Sequence, residues 1–275
     1  MQEYNDYMAV IYKHPALDLI FENNFKRVVA SDHIESGALL GVEHVFSSDK
    51  ETCCILIERN ERIFDMYHPR IQSFAETKNR IKDATEKMAH NCFGHNGKIV
   101  LNLFTNNLNH SCMPTCSVHI QNDYNINDNV IIFFELYAVK DITKGTELTI
   151  SYGPDTSHKR DFVCDCGLEL IERIEIYREI TIATKKMCKK NYYDVRKQIC
   201  DYLNDPLSKK ILLNQYLTTK GIYVNHGKIS ACTEQGNKLI NDFINKSCGI
   251  SDELKNVKPT LFMSILDEML LKKIE

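Results

Sequence analysis

A change of pattern near Gly167 constrains the fold more than any other feature. Before this glycine, short β-branched runs alternate with turns: residues 27–46 contain a turn at Gly37, and a turn at Gly145 leads into an apolar run at 147–152. After it, long segments rich in Lys, Glu, Ile and Leu repeat apolar residues at helical intervals. Short strands followed by helices predict an α+β fold.

Two further strands and a helical insert are predicted within the first part. Residues 99–104 and 130–139 are rich in β-formers, and the second run is apolar enough to be buried on both faces. Between the first strands and residue 99, the apolar residues Ile71, Phe74, Ile81 and Met88 recur at roughly helical spacing among charged residues. The pattern therefore predicts a helical insert at about residues 65–95.

Charge and cysteine usage exclude several classes of protein. The 34 basic and 37 acidic residues nearly cancel, so we expect no sequence-specific binding of nucleic acid and no membrane partner. The first residues lack a signal-peptide pattern, and no apolar run is long enough to span a bilayer. Eleven cysteines, an odd number with close pairs, favour reduced thiols over a disulfide framework. An intracellular protein is expected, with nucleus and cytoplasm both open.

Three motifs occur in a defined order. Residues 109–114 read Asn-His-Ser-Cys-Met-Pro, residues 145–152 read Gly-Thr-Glu-Leu-Thr-Ile-Ser-Tyr, and residues 164–166 read Cys-Asp-Cys. In this order and spacing the chain resembles the SET-domain protein lysine methyltransferases over about residues 20–170. The resemblance implies transfer of methyl groups from S-adenosylmethionine to lysine side chains of a protein or peptide, histone or nonhistone.

The resemblance also implies a domain organisation. A SET domain has a β-clip or pseudoknot fold of small sheets, in which cofactor and lysine enter from opposite sides of a channel. The expected division is an N-terminal extension at 1–19, a SET domain at 20–155 with the helical insert, a post-SET-like cysteine segment at 156–172, and a helical C-terminal domain at 173–275. The tail resembles the SET-and-MYND subfamily, but no paired Cys-x-x-Cys sets indicate a MYND module.

The resemblance assigns catalytic and cofactor-binding roles to particular positions. Tyr152 matches the catalytic tyrosine, whose phenol orients the lysine nitrogen and the methyl donor. The alternative for Tyr152 is a strand-end tyrosine satisfied by backbone. Asn109 matches the residue that holds the cofactor by its amide, and His110 the one that holds it chiefly through its backbone. Phe162, two residues before the first cysteine of Cys-x-Cys, matches an aromatic residue that stacks on the adenine.

Two further positions are candidates for the lysine channel. Ile150 lies where many relatives carry Phe or Tyr, so a roomier channel is expected, with the number of methyl groups left open. Tyr137 is a channel candidate as well, although a core aromatic on an apolar strand explains it equally.

Cysteines predict a structural zinc site. Cys112, Cys164 and Cys166 would supply three sulfur ligands of a tetrahedral zinc ion, as the resemblance implies. Family spacing places the fourth ligand at Glu169 or Ile171, neither of which is a cysteine. Glu169, Cys116 or a histidine are the candidates for that position, and unliganded buried thiols are the alternative.

Two departures from the family pattern keep other functions open. Lys26 and Arg27 occupy the cofactor-binding stretch where relatives have Gly-x-Gly, and Thr115 stands where they have Asn. A catalytically inactive SET-like scaffold is therefore one alternative. A helical tail that acts as the interaction platform is another, and methylation of a different acceptor, such as histidine, is a third.

Overall fold

The computed structural model describes residues 4–22, 25–67, 75–126, 129–154, 164–225, 228–238 and 240. Its strands are β1 (Ala9–Lys13), β2 (Leu17–Glu22), β3 (Phe25–Ala30), β4 (Leu39–Ser48), β5 (Phe93–His95), β6 (Lys98–Leu101), β7 (Asn109–His110), β8 (Cys116–Ile126), β9 (Asn129–Ala138), β10 (Thr149–Ile150), β11 (Ile222–Asn225) and β12 (Lys228–Ala231). Its helices are α1 (Lys50–Arg59), α2 (Glu61–Met66), α3 (Arg80–Asn91), α4 (Leu170–Leu203) and α5 (Pro206–Thr218), with a 3₁₀ turn at Thr105–Asn107. Curled antiparallel sheets combined with helices confirm the α+β class.

Strand β4 is the centre of the main antiparallel sheet. It pairs with β9 along one side, while β1 and then β6 pair with successive parts of it, and β8 and β5 extend the sheet beyond β9 and β6. Strands β2 and β3 form a separate hairpin. The expected N-terminal extension, residues 1–19, thus contributes β1 to the main sheet and begins β2.

The helical insert starts earlier than its apolar spacing indicates. Helix α3 lies where a helix was expected, whereas α1 precedes that range and α2 begins before it. Ile71 and Phe74 lie outside the described residues. Polar caps begin the two unexpected helices: Asp49 accepts from the Thr52 amide at 2.8 Å, and Asn60 from the Ile63 amide at 3.0 Å. These short helices show little periodicity, so their caps and tertiary packing define them.

The C-terminal part is helical through α4 and α5, and it also contains two short strands that the sequence did not indicate. Strands β11 and β12 form an antiparallel hairpin after α5. The Tyr7 hydroxyl accepts from the Val224 amide at 2.7 Å and donates to the Val224 carbonyl at 3.0 Å, which ties this hairpin to the N-terminus. Among the described helices, none combines the length and apolarity that crossing a membrane requires.

Helices α4 and α5 share a hydrophobic core with the main sheet. This core joins buried residues of the sheet, Ala9, Val42, Ile131 and Phe133, to buried residues of the two helices, Val195, Ile199, Tyr202 and Ile211. Because each buried Val, Ile or Phe side chain contributes about 1.5–3 kcal/mol, the helices and the sheet stabilise one another. A separate core beneath β3 and β9 supports the site described next.

Candidate active site

The two longest motifs meet through a short parallel pairing of β7 with β10. Asn109 lies opposite Thr149 and His110 opposite Ile150, and the Ser111 amide donates to the Ile150 carbonyl at 3.0 Å. Residues about forty positions apart in sequence are thereby held side by side. The backbone pairing brings the Asn-His segment next to Tyr152.

Strand β3 borders the same site. The Leu148 amide donates to the Val28 carbonyl at 2.8 Å, which places residues 146–148 along β3. The Asn109 side-chain amide donates to the Lys26 carbonyl at 3.2 Å and to Glu147 Oε1 at 2.7 Å. Sequence reasoning missed Glu147, although it is the third residue of the 145–152 motif. Asn109 therefore joins three segments at one exposed edge.

Tyr152 is half-buried and held at both its backbone and its ring. Its hydroxyl donates to the Leu108 carbonyl at 2.7 Å, and its amide donates to His110 Nδ1 at 3.1 Å. The rings of His110 and Tyr152 lie 5.2 Å apart. The phenol proton is thus directed at a carbonyl, which leaves the phenol oxygen suited to accept a hydrogen bond from a bound group.

The structure separates the two channel candidates. Ile150 is buried in a core that also contains Leu136 and Ala138 of β9. Successive residues of a strand face opposite sides, so Tyr137 points the other way. The Tyr137 hydroxyl donates to Glu135 Oε2 at 2.7 Å on the side covered by α4. Tyr137 therefore does not join Ile150 and Tyr152.

The charged groups of Lys26 and Arg27 have partners other than Asn109. The Lys26 ammonium donates to the Met66 carbonyl and lies 5.3 Å from the centre of the Phe21 ring, and burial lowers its pKa. The Arg27 guanidinium pairs with the Glu22 carboxylate. Only the Lys26 backbone faces Asn109 in these contacts. Phe162, the expected adenine partner, lies outside the described residues.

The three cysteines predicted as metal ligands come together beside Tyr152. Cys112 Sγ lies 3.5 Å from Cys164 Sγ, and the Cys166 thiol interacts with both. Burial, followed by the two neighbouring thiols, raises the pKa of Cys112 to about 12. Desolvation opposes ionisation of Cys166, but the Leu168 amide and the same thiols outweigh it and lower its pKa.

A histidine, rather than Glu169, lies next to this cluster. His110 Nε2 is 3.2 Å from Cys112 Sγ, so that His110, Cys112 and Cys164 form a compact donor group. Glu169 is the N-cap of α4, its amide donates to Glu172, and it does not belong to the donor groups found among the described residues. His110 Nδ1 accepts a hydrogen bond from the Tyr152 amide. In a neutral ring the proton is therefore on Nε2. His110 is therefore oriented as a donor to sulfur.

Two similarities in sequence relate the chain to known proteins. The SET domain family profile matches residues 26–153. A SET domain-containing protein of Acanthamoeba polyphaga mimivirus is 41% identical over 270 residues, covering 95% of this chain and 86% of the relative.

Two solved structures resemble part of the chain at low TM-scores. A Plasmodium falciparum protein that is named as a histone methyltransferase has a TM-score of 0.34 and 16% identity, and the match covers 52% of this chain and 97% of that protein's chain. The Neurospora SET domain protein DIM-5, a histone lysine methyltransferase, has a TM-score of 0.31 and 18% identity. That match covers 54% of this chain and 56% of the DIM-5 chain. Membership follows instead from the profile match and from the viral relative. This chain belongs to the SET domain family.

Proposed function

We propose that this chain is an S-adenosylmethionine-dependent methyltransferase that acts on lysine side chains of protein substrates. The observation that carries the proposal is the β7–β10 pairing, which sets Tyr152 beside the Asn109 segment with its hydroxyl on the Leu108 carbonyl. Family membership alone leaves an inactive scaffold possible, whereas this retained geometry favours catalysis.

The residues around Tyr152 suit an in-line methyl transfer to an amine. S-adenosylmethionine, when bound, supplies a methyl group on a sulfonium. Since Tyr152 donates its proton to Leu108, its oxygen accepts from an N–H of the neutral lysine amine and orients the nitrogen lone pair. His110 is a positioning residue, because its Nδ1 holds the Tyr152 amide. The proton that the amine must lose leaves to solvent.

The residues present fit the cofactor despite the missing glycines. Asn109 presents its side-chain amide at an exposed edge, beside the Lys26 carbonyl and the Glu147 carboxylate. Lys26 and Arg27 direct their charged groups to Met66 and Glu22. We propose that Asn109, His110 and the backbone of Lys26 and Arg27 border the cofactor, with Ile150 beneath the lysine channel. Phe162 keeps its proposed stacking role.

The proposal is tested by transfer of isotopically labelled methyl groups onto histones and other proteins, with modified residues identified by fragmentation mass spectrometry. Tyr152→Phe removes the oxygen that orients the amine, and we expect about a 100-fold lower rate with cofactor binding retained. Asn109→Ala should weaken cofactor binding measured by calorimetry. Tyr193→Phe, at an exposed tyrosine on α4, is the matched control and should leave both unchanged.

Each alternative has its own outcome in this experiment. A folded wild-type chain that neither binds S-adenosylmethionine nor labels protein would establish the scaffold. Labelled histidine in place of lysine would change the acceptor. Full activity in Tyr152→Phe would remove that residue from the reaction.

We also propose that Cys112, Cys164 and Cys166 bind a structural zinc ion. Zinc–sulfur bonds of about 2.3 Å imply sulfur atoms about 3.8 Å apart in a tetrahedral site, close to the 3.5 Å between Cys112 and Cys164. His110 Nε2–H would then donate to the Cys112 sulfur and couple the ion to Tyr152. Metal analysis should detect this zinc, and Cys164→Ser with Cys166→Ser should remove it.

A further inference from the structure

A second group of metal-binding side chains lies on the opposite side of β9 from the active site. His119 of β8 and Glu135 of β9 are directly paired across the sheet, so their side chains share one face. Helix α4 crosses this face and brings Cys188 to the pair. The ligand atoms of His119, Glu135 and Cys188 all lie within 4.8 Å of one another.

The site has the form of a metal centre with room for one more ligand. The Glu135 side chain is buried, with 5% of its surface exposed, and the Tyr137 hydroxyl holds its carboxylate at 2.7 Å. A cavity of about 200 Å³, lined by these three donors and neighbouring residues, opens beside them. Three protein ligands with an adjacent cavity match sites in which water completes the coordination.

The donor chemistry selects the class of cation. One imidazole nitrogen, one carboxylate oxygen and one sulfur suit a borderline transition metal such as Zn²⁺ and disfavour Mg²⁺ or Ca²⁺, which take oxygen ligands. Lys189 and Arg196 also line the cavity, but both are exposed, and Arg196 donates to the Tyr192 hydroxyl at 2.7 Å. Solvent screens these charges from the buried carboxylate.

We propose that His119, Glu135 and Cys188 form a zinc-binding site that fastens helix α4 to the sheet. The site is independent of the cysteines beside Tyr152 and of the methyltransferase proposal. Without metal, the Cys188 thiol interacts with the Glu135 carboxylate and the Tyr137 hydroxyl, and the His119 ring lies within 4.8 Å of the same carboxylate and thiol. Binding would replace the thiol proton with the ion and link two elements that otherwise meet through packing.

The test uses the full chain with Cys164→Ser and Cys166→Ser, which disables the cysteine cluster beside Tyr152 and leaves the proposed site intact. Titration with Co²⁺, a spectroscopic substitute for Zn²⁺, should give one equivalent with thiolate-to-cobalt charge-transfer absorption. Cys188→Ser should abolish that absorption, and His119→Gln should weaken binding at least about 10-fold. Cys200→Ser, at an exposed cysteine twelve residues further along α4, is the matched control and should bind normally.

Thermal melting supplies a second measurement. Saturating Zn²⁺ should raise the melting temperature of the double cysteine variant, because the ion binds only the folded chain, and His119→Gln should remove the rise. No Co²⁺ absorption in a folded double variant would overturn the proposal. Binding that survives both Cys188→Ser and His119→Gln would overturn it equally.

Discussion

Thr115 links the 109–114 segment to β10 through its own side chain. Its hydroxyl accepts from the Thr149 amide at 2.8 Å, and its amide donates to the Thr149 hydroxyl at 3.2 Å. The side chain is buried, with 7% of its surface exposed. The threonine that stands where family members have asparagine thus holds together the two strands that carry the site.

Thr115→Val should destabilise the chain by about 1–3 kcal/mol, because it leaves the Thr149 amide without its acceptor in a buried place. Thr115→Ser keeps the hydroxyl and should cost less. Urea unfolding of both variants measures the difference. Equal stability of the valine and serine variants would show that the hydroxyl is dispensable.

The Glu43 side chain of strand β4 holds the loop that precedes β7. Its buried carboxylate accepts from the amides of Leu103, Phe104 and Thr105 and from the Thr105 hydroxyl, at 2.5–3.0 Å. Burial raises the pKa of Glu43, and these hydrogen bonds act against the rise. The loop then enters the 3₁₀ turn that delivers Leu108 and Asn109 to the site.

Glu43→Gln should unfold more easily by about 1–3 kcal/mol, since the new amide group donates and at least one loop donor loses its acceptor. Cofactor affinity should fall as well, because the loop positions Asn109. Urea unfolding and calorimetry measure the two effects. Unchanged stability would mean that the loop adopts its shape without the carboxylate.

His44 connects three parts of the whole molecule. Its Nδ1 lies 2.8 Å from the Tyr202 hydroxyl of α4, and its Nε2 lies 3.2 Å from the Gln215 amide nitrogen of α5. Since Gln215 can only donate from that nitrogen, Nε2 accepts and Nδ1 carries the proton. Burial lowers the pKa of His44 to about 3. A neutral histidine therefore joins the sheet to both helices.

The wild-type chain should lose stability in acid because of His44. Between pH 6.5 and pH 3 the unfolded chain binds a proton that the folded chain excludes, so the free energy of unfolding falls as the pH falls. The loss from this residue at pH 5 is about 2 kcal/mol. Denaturant unfolding at pH 7 and pH 5 should show it in wild type. His44→Asn should show a smaller loss over the same interval, and an identical loss would contradict the assignment.

Removing residues 170–275 should abolish cooperative folding of the remainder. The deletion uncovers Val42, Ile131 and Phe133, which pack on the two helices. Several buried side chains at about 1.5–3 kcal/mol each approach the whole stability of an ordinary domain. Calorimetric melting of residues 1–169 measures this. A sharp transition near that of the full chain would instead support an independently folding SET domain.

The sequence by itself determined the α+β class and the family motifs, because spacing and turn residues are local properties of the chain. The grouping of Cys112 with Cys164 and Cys166 was implied by the resemblance that those motifs carry. Tyr152, Asn109 and Cys112 were identified from those motifs. Helices α1 and α2 are too short for an apolar periodicity to be recognised in the sequence. They are identified only in the structure, by their caps and their packing.

Tertiary structure alone decided which partners these residues meet. The side-chain roles of His110 and Glu43 depend on contacts with residues tens of positions away in the sequence. Tyr137 faces α4 because the strand register sets which side of β9 it occupies, and its own apolar run does not specify that register. The same register places His119 opposite Glu135, and the path of α4 adds Cys188. Pairing between strands that are distant in sequence exists only in the folded chain. The sites that such pairing creates can therefore be recognised only in the structure.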